Sequence, residues 1–295
     1  MNSKIRGSLK LKVPWGYVDA KTWGNPQKTH ILVVHGIMDN AGAFDRLIAQ
    51  LPENFYYVCI DLPGHGLSSH FPSGLLLSYF SFVLTIRYVL DELKWDQTYY
   101  MGHSFGAHLG VLFSIIYPHR IQKLILIDGI IAVPYSNKDL INYIKDENNL
   151  VIEESKSNNP RLYTEEEVIY ALSYLRNCCL NTEAAKALFE RAATKVNDKY
   201  YYNRDIRTKL TINSLFNIDQ TFYVTAQIKV HTLLIFASSS LPNLMSFREK
   251  LKSVLNNKKN ITIIEVEGNH DVHNNYPERI SRYISQFFNL FLHKL

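Results

Sequence analysis

Short apolar runs rich in β-forming residues alternate along this chain with longer stretches whose apolar positions recur at helical spacing. That alternation predicts a mostly parallel sheet with helices on both faces. After an antiparallel pair at about Ser8 to Val13 and Gly16 to Thr22, strands are predicted at Ile31 to Val34, Tyr56 to Ile60, Thr98 to Met101, Lys123 to Ile127, Thr232 to Phe236 and Ile261 to Val266, eight in all. Helices are predicted between them at about Ala41 to Gln50, Leu75 to Leu93, Phe105 to Tyr117, Asn243 to Leu255 and Pro277 to Leu290. The rhythm breaks between Ile131 and Ile228, where helical patterns such as Glu165 to Asn177 and Glu183 to Val196 pass without a convincing buried strand. The chain therefore divides into a first part of the sheet domain (1–130), a helical insertion (131–228) and a second part of the sheet domain (229–295). In an open α/β sheet ligands bind outside the C-terminal ends of the strands. An insertion leaving such an end is placed to roof the pocket, so 131–228 reads as a lid.

Composition narrows the class. With 295 residues, 46% hydrophobic and 20% charged, the chain can bury the core of one enzyme-sized domain without disulfides or metal. Its three cysteines, Cys59, Cys178 and Cys179, are an odd count with two adjacent, which argues against a disulfide framework and for a reducing, cytoplasmic setting. The first residues lack the apolar core of a signal peptide, and no run approaches the ~18 apolar residues of a membrane span. A formal charge of +5, from 32 basic and 27 acidic residues spread without a basic block, argues against a nucleic-acid partner. Nothing in the sequence sets an oligomeric state. The C-terminal His293-Lys294-Leu295 is similar in part to the Ser-Lys-Leu peroxisomal address, although its first residue is not a small one, so the peroxisome stands as a second location.

The chemistry concentrates at predicted strand ends. Gly102-His103-Ser104-Phe105-Gly106 follows the Thr98 to Met101 strand and opens a helix, the setting of a nucleophilic serine held on a sharp strand-to-helix turn. Gly102 and Gly106 let strand and helix approach around Ser104. His35-Gly36 ends an earlier strand, so the backbone N–H of the next residue, Ile37, can join that of Phe105 in an oxyanion hole. The base is expected after the last strand, where Glu267-Gly268-Asn269-His270-Asp271 supplies His270, with His273 as the alternative.

The acid is less direct. The loop after the Thr232 to Phe236 strand, a common place for it, reads Ala237-Ser238-Ser239-Ser240-Leu241-Pro242-Asn243 and holds no carboxylate. Asp271 adjoins His270 and is poorly placed to reach its ring. Asp128, ending the strand next to that of the nucleophile, keeps the order Ser104, Asp128, His270 and can orient the imidazole. Its alternative role is to cap a turn with Gly129. The loop Asp61 to Ser68 reads as structural. His35, His65 and His103 lie on separate strand ends without a cysteine cluster or an i,i+4 pair, so neither a metal nor another cofactor is expected.

The order HG, D-x-P-G-H-G, G-H-S-F-G and G-N-H resembles the α/β-hydrolase superfamily. His35 to Leu47, Asp61 to His70, Lys94-Trp95, Gly102 to Gly106, Thr194 to Val196, Asn203-Arg204-Asp205 with Arg207, and Gly268 to His270 with His273 resemble the serine hydrolase-like, or Kraken-type, family over nearly the whole chain. Ile37 departs from the commoner Trp after His-Gly, and Pro63 and Ala107 occupy variable positions. The resemblance implies a serine esterase or hydrolase of poorly defined substrate, linked in some members to cytoplasm and peroxisomes. Ser104 at the elbow argues against epoxide hydrolases and haloalkane dehalogenases, which attack with a carboxylate. Some dehalogenases nonetheless resemble this chain in placing their acid as Asp128 is placed. Aromatics of the insertion, among them Tyr135, Tyr143, Tyr163, Tyr170, Tyr174, Phe189 and Tyr200 to Tyr202, are expected mostly to pack. An apolar roof favours small apolar esters as substrate. A ligand-binding protein that keeps the fold without hydrolysis is the other reading.

Overall fold

The computed structural model describes residues 6–156, 160–210, 212, 214–256 and 258–289. The C-terminal His293-Lys294-Leu295 lies outside the described residues. Among the described residues ten strands form: β1 (Arg6–Val13), β2 (Gly16–Trp23), β3 (Thr29–Val34), β4 (Phe55–Ile60), β5 (Thr98–His103), β6 (Ile121–Ile127), β7 (Ala193–Val196), β8 (Lys199–Tyr202), β9 (His231–Ser239) and β10 (Ile261–Asn269). The described residues also form ten α-helices: α1 (Asp45–Ile48), α2 (Tyr79–Glu92), α3 (Phe105–Ile116), α4 (Leu140–Lys156), α5 (Glu165–Tyr174), α6 (Thr182–Ala192), α7 (Ile218–Ala226), α8 (Pro242–Leu255), α9 (Val272–Asn275) and α10 (Glu278–Asn289).

Eight strands make one sheet in the order β1-β2-β4-β3-β5-β6-β9-β10, and β7-β8 make a separate hairpin. The pairs β1/β2 and β2/β4 are antiparallel; from β4 to β10 every pairing is parallel. Crossover connections put apolar helices on both faces, which is why the central strands read as unbroken apolar runs. Along β3, Leu32 and Val34 pack into a core with α2, α3 and α8, while Ile31 and Val33 pack into a second core with α1, α5, α6 and α10. The two-residue period of a strand sends consecutive side chains to opposite cores.

Between β6 and β9 lie α4 to α7 and the β7-β8 hairpin. Arginines fasten this insertion to the sheet domain. Arg191, on α6, bonds Asp61 at 2.7 Å and also meets Asp19, both carboxylates buried. Arg207 pairs with Asp205 at 2.6 Å and donates to the carbonyls of Phe71, Pro72 and Leu75.

Three local expectations are corrected. The helix predicted from Leu75 begins at Tyr79, because Arg207 holds the Leu75 carbonyl at 2.7 Å in a non-helical segment. The helix predicted to run to Val196 stops at Ala192, where Ala193 turns extended (φ −143°, ψ 148°) and pairs with Tyr202. The stretch from Ala41 splits into a 3-10 turn (Ala41–Phe44) and α1. The insertion's aromatics divide: Tyr143 is buried and Phe189 packs on Tyr200, but Tyr170 and Tyr174 stand 57% and 59% exposed.

Candidate active site

Ser104 joins β5 to α3 at φ 49° and ψ −116°, a strained conformation for a residue with a Cβ. The flanking glycines are required by contact. A Cβ on Gly102 would lie 2.4 Å from the Gly106 carbonyl oxygen, and one on Gly106 would lie 2.2 Å from that of Val34. Sheet order then sets the partners. β6 lies beside β5 and leads into Asp128; the last strand, β10, lies two strands beyond β6 and leads into His270. His270 Nε2 is 2.8 Å from Ser104 Oγ, and its Nδ1 is 2.6 Å from Asp128 Oδ2. With Asp128 accepting from Nδ1–H, Nε2 is left as the acceptor for the seryl proton.

Asp128 is buried and held from three sides. Its Oδ1 accepts from the N–H of Ala237 at 2.8 Å, and its Oδ2 accepts from Ser240 Oγ as well as from His270. Ser240 belongs to the loop that lacks a carboxylate, so the hydroxyl of that loop serves the acid on the neighbouring strand. Gly129 also has a contact reason: a Cβ there would lie 2.8 Å from the Ser104 carbonyl oxygen.

Burial by itself would lower the His270 pKa, but the hydrogen bond and charge of Asp128, with the charges of Asp271 and Asp39, outweigh it and raise the pKa above 6.5. The other histidines near the site behave oppositely. Burial pushes His103 and His108 down to about 3, and His273 well below its ordinary value. His273 packs on His103 and Phe44 and its ring nitrogens hydrogen-bond neither Ser104 nor Asp128, so the alternative base lies outside the hydrogen-bonded chain.

Ile37 and Phe105 both line the cavity, and among the described residues no acceptor is seen for the backbone N–H of either. Phe105 opens α3, where the first N–H groups have no partner within the helix. The loop carrying Ile37 is tied down by two neutral histidines. His35 Nδ1 donates to the Gly36 carbonyl at 2.7 Å while its Nε2 accepts from Leu62 N–H at 2.9 Å. His65 Nε2 accepts from Met38 N–H at 3.1 Å and its Nδ1 donates to the Pro63 carbonyl. Burial lowers the two to about 4 and about 3, which keeps each able to accept. The Asp61 to Ser68 loop is thereby structural, and Asp61 adds bonds to Ala41 and Leu67 N–H.

Ser104 opens onto a cavity of about 560 Å³. One wall is apolar, with Ile131, Ala132, Val133, Pro134 and Leu244; His108, Ser136, Asp139, Asn243 and Ser246 make another part polar. Arg176 and Cys178 enter from the insertion. Sequence patterns carry no signal for Ser240 or Arg176 at the site, because each arrives by tertiary contact, whereas Asp39 follows the His35-Gly36 turn directly.

His103, Asp271 and His273 bring three ligating side chains close together. Their geometry does not fit an ion. The two imidazoles stack with centroids 3.9 Å apart and planes 30° from parallel, whereas a metal binds in the plane of each ring at about 2.1 Å. The lone pairs of nearly parallel rings do not converge at that distance, and Arg176 already occupies Asp271.

The profile of the α/β hydrolase fold matches residues 29–273. A human protein named serine hydrolase-like protein 2 is 35% identical over 294 residues, covering 95% of this chain and 93% of its own. A zebrafish (Danio rerio) serine hydrolase-like protein is 32% identical over 291 residues, covering 96% and 89%. Among solved structures, a hypothetical protein from Pseudomonas aeruginosa superposes with a TM-score of 0.83 at 22% identity, over 97% of this chain and 99% of that one. The chain belongs to the serine hydrolase-like family of α/β-hydrolase proteins.

Proposed function

We propose that this protein is a serine hydrolase that cleaves carboxylic esters through an acyl-enzyme. The observation that carries the reading is the buried chain Asp128–His270–Ser104, at 2.6 and 2.8 Å, ending on a strained serine that faces the cavity. Ser104 Oγ attacks the ester carbonyl while His270 Nε2 takes its proton. The oxyanion that forms accepts from the N–H groups of Ile37 and Phe105, an effect worth roughly 3 kcal/mol per donor. As the C–O bond breaks, His270 returns the proton to the leaving alkoxide. Water then attacks the acyl-serine with His270 again as base, releasing acid and Ser104. Asp128 keeps Nδ1 protonated and stabilises the imidazolium.

The Ile131 to Pro134 wall with Leu244 supports an apolar portion in the substrate. Residues 131–228 act as the lid, since Arg176 and Cys178 reach the cavity from that segment. No cofactor enters these steps. Three free cysteines support a reducing compartment such as the cytoplasm. Among the described residues no helix is long and apolar enough to cross a membrane. The non-hydrolytic reading rested on the loop without a carboxylate, and the contact of Asp128 with His270 supports hydrolysis instead.

Fluorophosphonate labelling of the purified protein, read by intact mass, tests the nucleophile without assuming a substrate. A single phosphonyl adduct, lost in Ser104→Ala, is expected. A folded protein that takes no label would overturn the hydrolytic reading.

A further inference from the structure

Arg176 follows α5 and enters the cavity wall from the insertion. One of its Nη nitrogens donates to two carboxylates at once, Asp39 Oδ1 at 2.9 Å and Asp271 Oδ1 at 3.1 Å. Both carboxylates are buried, at 4% and 2% exposure. Asp39 stands two residues beyond Ile37 on the loop that carries the first oxyanion donor, and Asp271 directly follows His270. Arg191 and Arg207, which also fasten the insertion, spend their bonds on Asp19, Asp61, Asp205 and loop carbonyls outside the cavity. Arg176 is thus the insertion arginine whose partners flank both the oxyanion loop and the base.

Resting on the hydrolytic reading above, we propose that Arg176 is a positioning residue: it clamps the oxyanion loop to the histidine loop, so that the insertion must be seated on the sheet domain for Ser104 to be fully reactive.

The clamp has a mechanical and an electrostatic part. Two buried carboxylates repel each other unless a cation lies between them, so removing the guanidinium lets the Asp39 and Asp271 loops separate. The titratable groups around His270 are Asp128 just after β6, His103 from β5, His108 from α3, Asp39 from the oxyanion loop, Asp271 and His273 from its own loop and Cys178 from the insertion, with Arg176 reaching it through Asp39 and Asp271. Burial keeps the three neighbouring imidazoles neutral and pushes the Cys178 thiol up. The charges that remain are three carboxylates and one guanidinium. Without the guanidinium, Asp39 and Asp271 act on His270 uncompensated and favour its protonated form further.

The rate of fluorophosphonate labelling of the full chain, measured against pH, tests this. Arg176→Gln is expected to slow labelling at pH 8 by about tenfold or more, as a displaced loop would, and to move the acid limb of the profile to higher pH. Arg176→Lys keeps the charge on a compact ammonium, so its acid limb should stay near wild type while the rate remains reduced. The double variant Arg176→Gln/Asp271→Asn should bring the limb back toward wild type. A limb position does not depend on the fraction of active protein, so partial unfolding of Arg176→Gln leaves the test decisive. Wild-type rate and an unmoved limb in Arg176→Gln would overturn the clamp while leaving the hydrolase standing. A wild type that takes no label would overturn the hydrolytic reading beneath it.

Discussion

Asp128 holds φ 45°, a left-handed conformation in which its carboxylate meets three donors: Ala237 N–H, Ser240 Oγ and His270 Nδ1. The two that do not react, Ala237 and Ser240, decide which way the third is held. Asp128→Asn puts an amide where Nδ1–H needs an acceptor and leaves the imidazole free to take the wrong tautomer. A loss in kcat on the order of 10⁴, with folding intact, is expected. Ser240→Ala removes one bond to a charged acceptor and leaves two, so a fall of about tenfold in kcat with little change in KM is expected. Ester-hydrolysis kinetics on the two variants check the order; equal activity in Ser240→Ala and wild type would remove Ser240 from the orientation of Asp128. Asp128 was legible as the residue closing the strand beside that of Ser104. Ser240 was legible only as an absence, since a serine-rich loop gives no sign of which strand's acid it will meet.

Elements of the insertion differ in how they are held. In α4 only Tyr143 is buried, and Ile141 and Ile152 stand 57% and 50% exposed. In α6, Ala184, Ala185, Leu188 and Arg191 are buried, and Arg191 bonds Asp61 and meets Asp19. Few buried apolar contacts mean a low free energy of local opening. Hydrogen exchange followed by mass spectrometry should therefore show peptides of 140–156 exchanging well before those of 182–192; equal protection would contradict this. Local opening of the segment between β6 and β9 should then begin in α4, with α5 and α6 staying on the sheet domain. Helix ends were the least legible feature at this scale. The apolar period continues through Leu75 to Ser78, but Arg207 takes the Leu75 carbonyl and α2 begins only at Tyr79. Likewise Thr194 and Val196, β-branched residues suited to a strand, leave the helical pattern once Ala193 can pair with Tyr202.

For the whole molecule, the buried histidines set the response to acid. His35, His65, His103, His108 and His273 are all lowered by burial, so between about pH 6.5 and pH 4 the unfolded chain binds protons that the native one does not. Stability rises with pH through that window and is lost as pH falls, by up to ~1.4 kcal/mol per unit for each such group. His270 works the other way: its raised pKa adds stability that is fully present below 6.5 and is lost as pH rises through the folded value. Five groups outweigh one. The Tm should therefore drop steeply from pH 7 to pH 4.5, and calorimetry across that range checks it; a flat Tm would mean that these imidazoles find protons in the folded state.

Much of this protein could be read from its order of residues. The alternation of apolar runs marked the eight strands of the sheet, because strand burial and helix amphipathicity are local, periodic properties. Ser104, His270, Ile37, Phe105 and the glycines at 36, 102 and 106 were marked because each sits at a strand end where a turn demands particular residue types. Tertiary structure alone put Ser240, on the loop after β9, against the carboxylate of Asp128. It alone carried Arg176 about seventy residues along the chain from the elbow to a place between Asp39 and Asp271. The physical reason is range. Propensity and periodicity act over a few neighbours, whereas a buried charge takes whatever partner the packed fold puts beside it, and no local pattern records that choice.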